Sequence, residues 1–343
     1  MQKLRILALL VPTTVIGQWT YGAAGTSAEL RGLSAVNDRV VWASGARGTV
    51  VRSTDGGRTW IADTVTGFTA LDFRSIHALN DGAAFIASAG EAEKGLARIL
   101  ATGDAGRHWN PSYATDQKGV FLDAIAFWDA KNGIALSDPV DEHFFILVTS
   151  DGGGSWARVP PARLPRVLPG EAAFAASGSA LVVQGREDVW VGTGGAWRAR
   201  VMHSSDRGRT WSFTETPVHA DGAGGASGIF SLAFFDRLRG VAVGGDYTKP
   251  RLPAQSVALT FDGGRSWYRA KSPPAAYLSG VAYAGSAARL AAVGLAGTFV
   301  SSDSGQSWAQ TDTLALNSVR FSGRFGFAVG PGGRVARTEG IPR

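Results

Sequence analysis

Seven side chains stand where this chain offers chemistry: the carboxylates of Asp123, Asp138, Glu171 and Asp246, the guanidiniums of Arg31 and Arg74, and the phenol of Tyr247. Paired carboxyl groups about 5 to 9.5 Å apart can protonate a glycosidic oxygen and activate water or attack the sugar. A guanidinium can clamp a carboxylate through two parallel N–H bonds. A tyrosine adds a stacking face and a hydroxyl. Brought together, these groups describe a carbohydrate site or an anion site. Spread over a solvated rim, the same groups are only local ion pairs. The elements that position them decide between the two.

Those elements announce themselves through a repeat. The octapeptide Ser53-Thr54-Asp55-Gly56-Gly57-Arg58-Thr59-Trp60 follows the pattern Ser/Thr-x-Asp-x-Gly-x-Thr/Ser-Trp. It recurs at Thr102–Trp109, with His108 in the hydroxyl position, and at Thr149–Trp156, Ser204–Trp211, Thr260–Trp267 and Ser301–Trp308. The steps between successive tryptophans are 49, 47, 55, 56 and 41 residues. Such a period implies a propeller with one four-stranded blade per repeat. Each position has a mechanical role. The second glycine supplies the positive φ of a tight turn. The aspartate accepts backbone N–H bonds across it, and the tryptophan fills the gap between neighbouring blades. One carboxylate per turn is too few oxygens for calcium, so the octapeptides read as fold punctuation.

Trp19 precedes Trp60 by 41 residues, the step that separates Trp267 from Trp308. The N-terminal segment Gly17-Gln18-Trp19-Thr20 therefore reads as the last strand of a blade. Its partners are the C-terminal segments Ser318–Phe321, Gly326–Gly330 and Arg334–Thr338. Pairing them closes a ring and removes its open edges. The expected fold is all-β, a seven-bladed β-propeller of four-stranded antiparallel blades, in a single domain over residues 18–343. Blade 6 shows the plan: Gly280–Tyr283, Leu290–Gly294 and Thr298–Ser301, with Trp308 opening the fourth strand. The hairpin between strands two and three is short in blades 1, 6 and 7 (45–48, 294–297 and 330–333). Blades 2 to 5 carry insertions, which in repeat proteins map to loops, often on the binding face.

The octapeptides join strands three and four, so they share one face. Hairpins between strands two and three, and the starts of the innermost strands, share the opposite face. There the plan gathers Arg31, Arg74 and Asp123 from strand starts, Glu171 from the beginning of blade 4, and Asp138, Asp246 and Tyr247 from hairpins. A site built from them is expected off-centre, over blades 2 to 5.

The octapeptide resembles the Asp-box (BNR) repeat of sialidases and related propellers. Its spacing, together with the Gly-x-x-Gly hairpins, is more similar to the Ycf48-like photosystem II assembly-factor group. The resemblance covers nearly all of residues 18–343. It implies a non-catalytic binding or assembly propeller that engages a partner protein or a membrane-protein complex through an Arg-bearing face. The sialidase side implies instead an extracellular carbohydrate-active enzyme, a glycoside hydrolase using carboxylates of blades 3 to 5. Sialidases carry an early Phe/Tyr-Arg-Ile-Pro motif. This chain has Leu30-Arg31-Gly32-Leu33 at that place, and its Pro165-Arg166-Val167-Leu168-Pro169 lies mid-chain in a loop.

Composition narrows the remainder. The 343 residues include 46 glycines, and 18% are charged, which suits short strands and tight turns. The absence of cysteine excludes disulfides, thiolate metal sites, a cysteine nucleophile and a lipoprotein anchor. The formal net charge is +6, but the basic residues form no long run and do not interleave with aromatics, so nucleic acid is not an expected partner. His77, His108, His143, His203 and His219 lack ligand spacing. No nucleotide motif or nucleophile elbow is present, so neither a metal nor a cofactor is expected. Residues 1–17 combine a basic start with a 12-residue apolar stretch, Ile6–Gly17, too short to span a bilayer comfortably. They read as a signal peptide, giving a secreted or periplasmic monomer that does not span the membrane once the signal is removed. Processing is expected to leave Gln18, or a residue close to it, as the new N-terminus. N-terminal sequencing of the exported protein checks this, and an intact Met1 on a cytosolic chain is the contrary result.

Overall fold

The computed structural model describes residues 19–222 and 225–340; the expected signal peptide lies outside them. The described chain forms seven four-stranded antiparallel sheets. Blade 1 comprises Leu30–Ala35, Val41–Gly45, Thr49–Ser53 and Ile61–Thr64. Blades 2 to 6 follow the same order along the chain. Blade 7 takes three strands from the C-terminal end, Ser318–Ser322, Phe325–Val329 and Arg334–Thr338. Its fourth is Thr20–Ala23, which pairs antiparallel from Thr20 opposite Arg337 to Ala23 opposite Arg334. The first strands of successive blades touch one another all the way round, blade 7 against blade 1 included. The expected ring and its closure are both present. Among the described residues no helix is long and apolar enough to cross a membrane.

Burial explains the strand sequences. Second strands are covered on both faces by adjacent blades, so Val41–Gly45 and Leu290–Gly294 are buried at every position and read as runs rather than as alternation. Fourth strands lie outermost: Ile61–Thr64 is mostly exposed. There is accordingly no single core. Apolar clusters fill the wedges between blades, for example Val189, Val191 and Met202 of blade 4 against Ile134, Leu136 and Ile146 of blade 3.

The repeated octapeptide builds one turn geometry. In blade 1, Asp55 Oδ1 accepts the Thr59 N–H at 2.9 Å and Oδ2 accepts the Thr59 hydroxyl at 2.7 Å. The Ser53 hydroxyl donates to Asp55 Oδ1 and accepts the Gly57 N–H, both at 2.9 Å. In blade 2, His108 takes the hydroxyl's place, with Nδ1 2.6 Å from Asp104 Oδ2. The second glycine is demanded twice over. Gly153 has φ 80°, and a Cβ there would lie 2.6 Å from the Phe85 ring of the preceding blade. The tryptophans then wedge between blades. Trp109 meets Trp42 of blade 1 edge-on at 6.3 Å, and the Trp156 indole N–H donates to Ser112 Oγ of blade 2 at 2.9 Å. Trp19 does the same at the closing blade, where its indole N–H donates to Thr298 Oγ1 at 3.0 Å.

These turns tie stability to pH. The Thr59 backbone N–H, with its hydroxyl, holds Asp55 down at about 2. His108 does the same for Asp104, and Ser155 for Asp151, each to about 2. Burial pushes Asp206, Asp262 and Asp303 upward, but their hydrogen bonds outweigh it and all three lie below the usual range. A carboxyl depressed on folding stabilises the fold fully above its unfolded pKa and loses that contribution as pH falls through the folded value. The melting temperature is therefore expected to fall steeply between about pH 4 and pH 2. Replacing Asp55, Asp104 and Asp151 with asparagine should flatten that fall. A parent curve that stays level over the window would contradict the assignment.

Candidate functional site

The innermost strands crowd around the axis, so the residues where they touch must be small. A Cβ on Gly32 would lie 2.3 Å from Ser44 Oγ and 3.1 Å from the Ile76 backbone nitrogen. Ser75 fills the corresponding place in blade 2 and accepts the Ile125 N–H of blade 3 at 3.0 Å. Just before each small residue the ladder slips by one. Register shifts occur at Leu30/Gly32, Phe73/Ser75, Leu122/Ala124 and Ile229/Ser231. Each slip is a bulge whose extra residue re-aims a side chain. The extra residues are Arg31, Arg74, Asp123 and Phe230, and all four line a single cavity of about 340 Å³ on the axis. A second bulge in blade 3, between Ser137 and Pro139, adds Asp138 beside Asp123.

The cavity lies on the face opposite the octapeptide turns and has two unlike walls. Arg31, Arg74, Asp123 and Asp138 form the polar one. Phe174, Phe230, Tyr247 and Tyr277 form the aromatic one. Phe174 stacks on Phe230 at 3.8 Å with 12° between planes, and Tyr277 meets Phe230 edge-on at 4.8 Å. Tyr247 is half exposed at the mouth, 6.1 Å from Phe230. Leu295 of blade 6 and Asn317 at the start of blade 7 complete the lining. The expected off-centre placement is thus corrected for this cavity: it is axial and draws on all seven blades, through the bulges of blades 1, 2, 3 and 5 and through residues that precede the first strands or lie in a hairpin of the others.

Electrostatics divide the polar wall. Arg31 Nη1 donates to the Ala176 carbonyl at 3.2 Å, and Nη2 faces Glu29 Oε1 at 3.3 Å. Asn317 Nδ2 anchors that glutamate oxygen at 2.8 Å. Arg74 Nε donates to Asp72 Oδ2 at 2.7 Å. Both guanidiniums therefore have an acid of their own. Asp138 accepts one bond, from the Ala173 N–H at 3.0 Å. Asp123 is 1% exposed, and among the described residues neither of its carboxyl oxygens has a hydrogen-bond partner. Burial, then the nearby Asp138, pushes Asp123 well above the usual carboxylate range, against the pull of Arg74. Burial pushes Asp138 up to about 6, partly offset by the Ala173 N–H.

Two of the sequence-derived residues are placed elsewhere. Glu171 is buried in a bidentate pair with Arg200, whose Nε donates to Oε1 at 2.9 Å and whose Nη2 donates to Oε2. The Thr193 hydroxyl and the Leu168 N–H donate to the same carboxylate, at 2.6 and 2.8 Å. Asp246 is also buried. It accepts the Thr248 N–H and hydroxyl at 2.9 and 2.6 Å and faces Lys249 Nζ at 3.1 Å. Burial raises Asp246, and these partners more than reverse it. Both acids hold loops in place. Arg31, Arg74, Asp123, Asp138 and Tyr247 are brought together in the cavity. The sequence reading did not include Phe174, Phe230, Tyr277 and Asn317. For Phe230 and Asn317 a signal existed: each directly precedes a small residue of an innermost strand, Ser231 and Ser318, as Arg31 precedes Gly32.

Fold and cavity together define a seven-bladed propeller with an amphipathic axial pocket. No protein-family model matches the chain, and no curated protein does. Solved structures are similar across its length. YCF48 bound to D1 peptide is 16% identical with a TM-score of 0.63, covering 96% of this chain and 99% of that one. YCF48 from Cyanidioschyzon merolae is 16% identical with a TM-score of 0.62, covering 93% and 98%. The GH74 xyloglucanase from Xanthomonas campestris is 15% identical with a TM-score of 0.58; the match covers 93% of this chain and 53% of the enzyme. Likeness at this identity establishes the shared fold.

The two kinds of carboxylate should respond oppositely to neutralisation. Glu171→Gln leaves the buried Arg200 charge without its partner and is expected to cost roughly 3–5 kcal/mol. Asp123→Asn removes an acid that the fold leaves unsatisfied, so the melting temperature should rise. An acid whose folded pKa is raised contributes stability that is lost as pH rises through that value, so the gain should be larger at pH 8 than at pH 4. Thermal melts of both variants check this. A drop for Asp123→Asn like that of Glu171→Gln would make Asp123 a structural acid too.

Proposed function

We propose that this chain is an exported, non-catalytic binding propeller that captures a segment of a partner protein in its axial pocket. The observation that carries the reading is Asp123: a buried carboxylate with no partner, lining a pocket whose other wall is aromatic. An unmet buried polar group costs stability, and a ligand that supplies the missing hydrogen bond recovers it. The aromatic wall suits an extended peptide, whose side chains it can cover. The likeness to YCF48 bound to D1 peptide supports a peptide as the ligand class. So does the similarity of the repeat spacing and the Gly-x-x-Gly hairpins to the Ycf48-like assembly-factor group. The chain is proposed to act as a monomer in the cell envelope, on a partner protein or membrane-protein complex.

A second reading has its own observation. Asp123 and Asp138 share one pocket, and burial raises both, the condition a general acid needs in glycoside hydrolysis. The likeness to a xyloglucanase belongs with this reading, and Glu171 and Asp246 are already committed to ion pairs.

The purified protein is to be tested against a peptide array and, separately, for release of reducing ends from xyloglucan and other polysaccharides. Peptide binding is expected, and Tyr247→Ala should weaken it roughly five- to tenfold, as loss of an interfacial aromatic does. Reducing ends that appear with the parent and vanish with Asp138→Asn, in the absence of peptide binding, would put the enzyme reading in its place.

A further inference from the structure

The sign of charge left over in the pocket says what the captured segment must carry. Arg31 and Arg74 each face an acid two residues earlier in the chain, Glu29 and Asp72. An anionic ligand would have to displace those acids. Among the described residues the Asp123 carboxylate has no hydrogen-bond partner, and that of Asp138 has only one peptide N–H. Once ionised, these two acids leave the cavity with an excess of negative charge, although the chain as a whole carries a net charge of +6. Facing these two acids is a wall of aromatic rings long enough to cover a flexible hydrocarbon stem, and ring faces attract cations as well.

We infer that the pocket receives a basic side chain of the partner, a lysine ammonium or an arginine guanidinium placed against Asp123 and Asp138, with its stem along Phe230 and Tyr277. The inference rests on the partner-segment reading and adds the chemistry of the recognised group. A cation supplies hydrogen-bond donors as well as charge to Asp123, whereas Arg74 supplies charge alone. A neutral donor would satisfy one oxygen and leave the charge. A carboxylate would meet two acids at close range.

The groups facing the acid pair are Arg74 and Arg31 from blades 2 and 1, Tyr247 and Tyr277 from the aromatic side, and Asn317 from blade 7. Without a ligand, burial holds Asp138 at about 6 and pushes Asp123 well above the usual carboxylate range, so the pair favours its protons at mildly acid pH. Binding a cation must expel them, so its affinity is expected to rise from pH 5 to pH 8.

The probe is an array of random-sequence decapeptides read with the purified protein. Lysine or arginine should be enriched among the bound peptides. In the best binder, exchanging that residue for norleucine, which keeps the stem and removes the charge, should weaken binding at least about tenfold, as loss of a charged hydrogen bond does. The exchange should cost much less in Asp123→Asn or Asp138→Asn, so that each pair of changes shows coupling. If Asp123→Asn fails to fold, Asp138→Asn carries the cycle. n-Butylammonium should compete with the lysine peptide and n-butanol should not. Enrichment of acidic residues, a norleucine exchange without effect, or tighter binding at pH 5 than at pH 8 would overturn the cation while leaving peptide capture standing. Failure to bind any peptide would remove capture itself. If n-butylammonium alone then bound, the pocket would be a free-amine site, and the inference as stated would also fall.

Discussion

The structure depends on burying both faces of every blade against its neighbours. A four-stranded sheet with two apolar faces is insoluble alone, and six such sheets in an open arc would still expose one face at each end. Only closure removes those faces. The join is made by Thr20–Ala23 pairing with Arg334–Thr338, which places Trp19 between blades 6 and 7. The other wedges follow the same rule. A tryptophan and a positive-φ glycine from one blade pack against large side chains of the blade before it, as Gly208 does against Ile134 and Gly264 against Trp190. The hydrogen-bonded aspartate turn is therefore a spacer: it sets how far the fourth strand stands from its neighbour.

Closure also creates the pocket. Seven first strands meeting on an axis leave room only for glycine, alanine or serine at their contacts. The ladder absorbs the misfit by bulging one residue earlier. What a bulge releases need not be small, since it points away from the contact and into the opening. The chain places arginine, arginine, aspartate and phenylalanine at the bulges of blades 1, 2, 3 and 5. These blades reach the cavity through a position that their packing leaves unconstrained, so the lining can change without changing the blades.

The fold was legible because its signals are local. Positive φ at Gly57 and the acceptors of Asp55 each need a particular residue type within an eight-residue window, and six windows repeat. The shared blade was legible from one spacing, Trp19 to Trp60. The site was legible in part. Charged residues at the starts of innermost strands are conspicuous, so Arg31, Arg74 and Asp123 could be picked out. Phe174 and Tyr277 could not be told from core residues, since an apolar ring in an all-β chain is ordinarily inter-blade packing, and Phe230 differs from them only in preceding Ser231, the small residue at the bulge. Glu171 shows the opposite limit. Its role is set by Arg200, 29 residues away on another strand, and nothing in the local sequence announces that pair.

The contrast between Glu171 and Asp123 sharpens what the pocket is for. Both are buried acids on the same face of the ring. Glu171 receives four donors, two from Arg200 and one each from Thr193 and Leu168. A buried charge is tolerable when it is paired and its lone pairs are filled. Asp123 receives none, although Arg74 is near enough to lower its pKa. Arg74 is instead turned to Asp72. A fold under selection for stability alone would hold an asparagine or a leucine at position 123, since neither carries the penalty of an unsatisfied acid. Retaining the acid while Arg74 turns to Asp72 keeps a strong acceptor unfilled inside an aromatic-walled cavity, and it is on this acceptor that the proposed capture of a partner's donor depends.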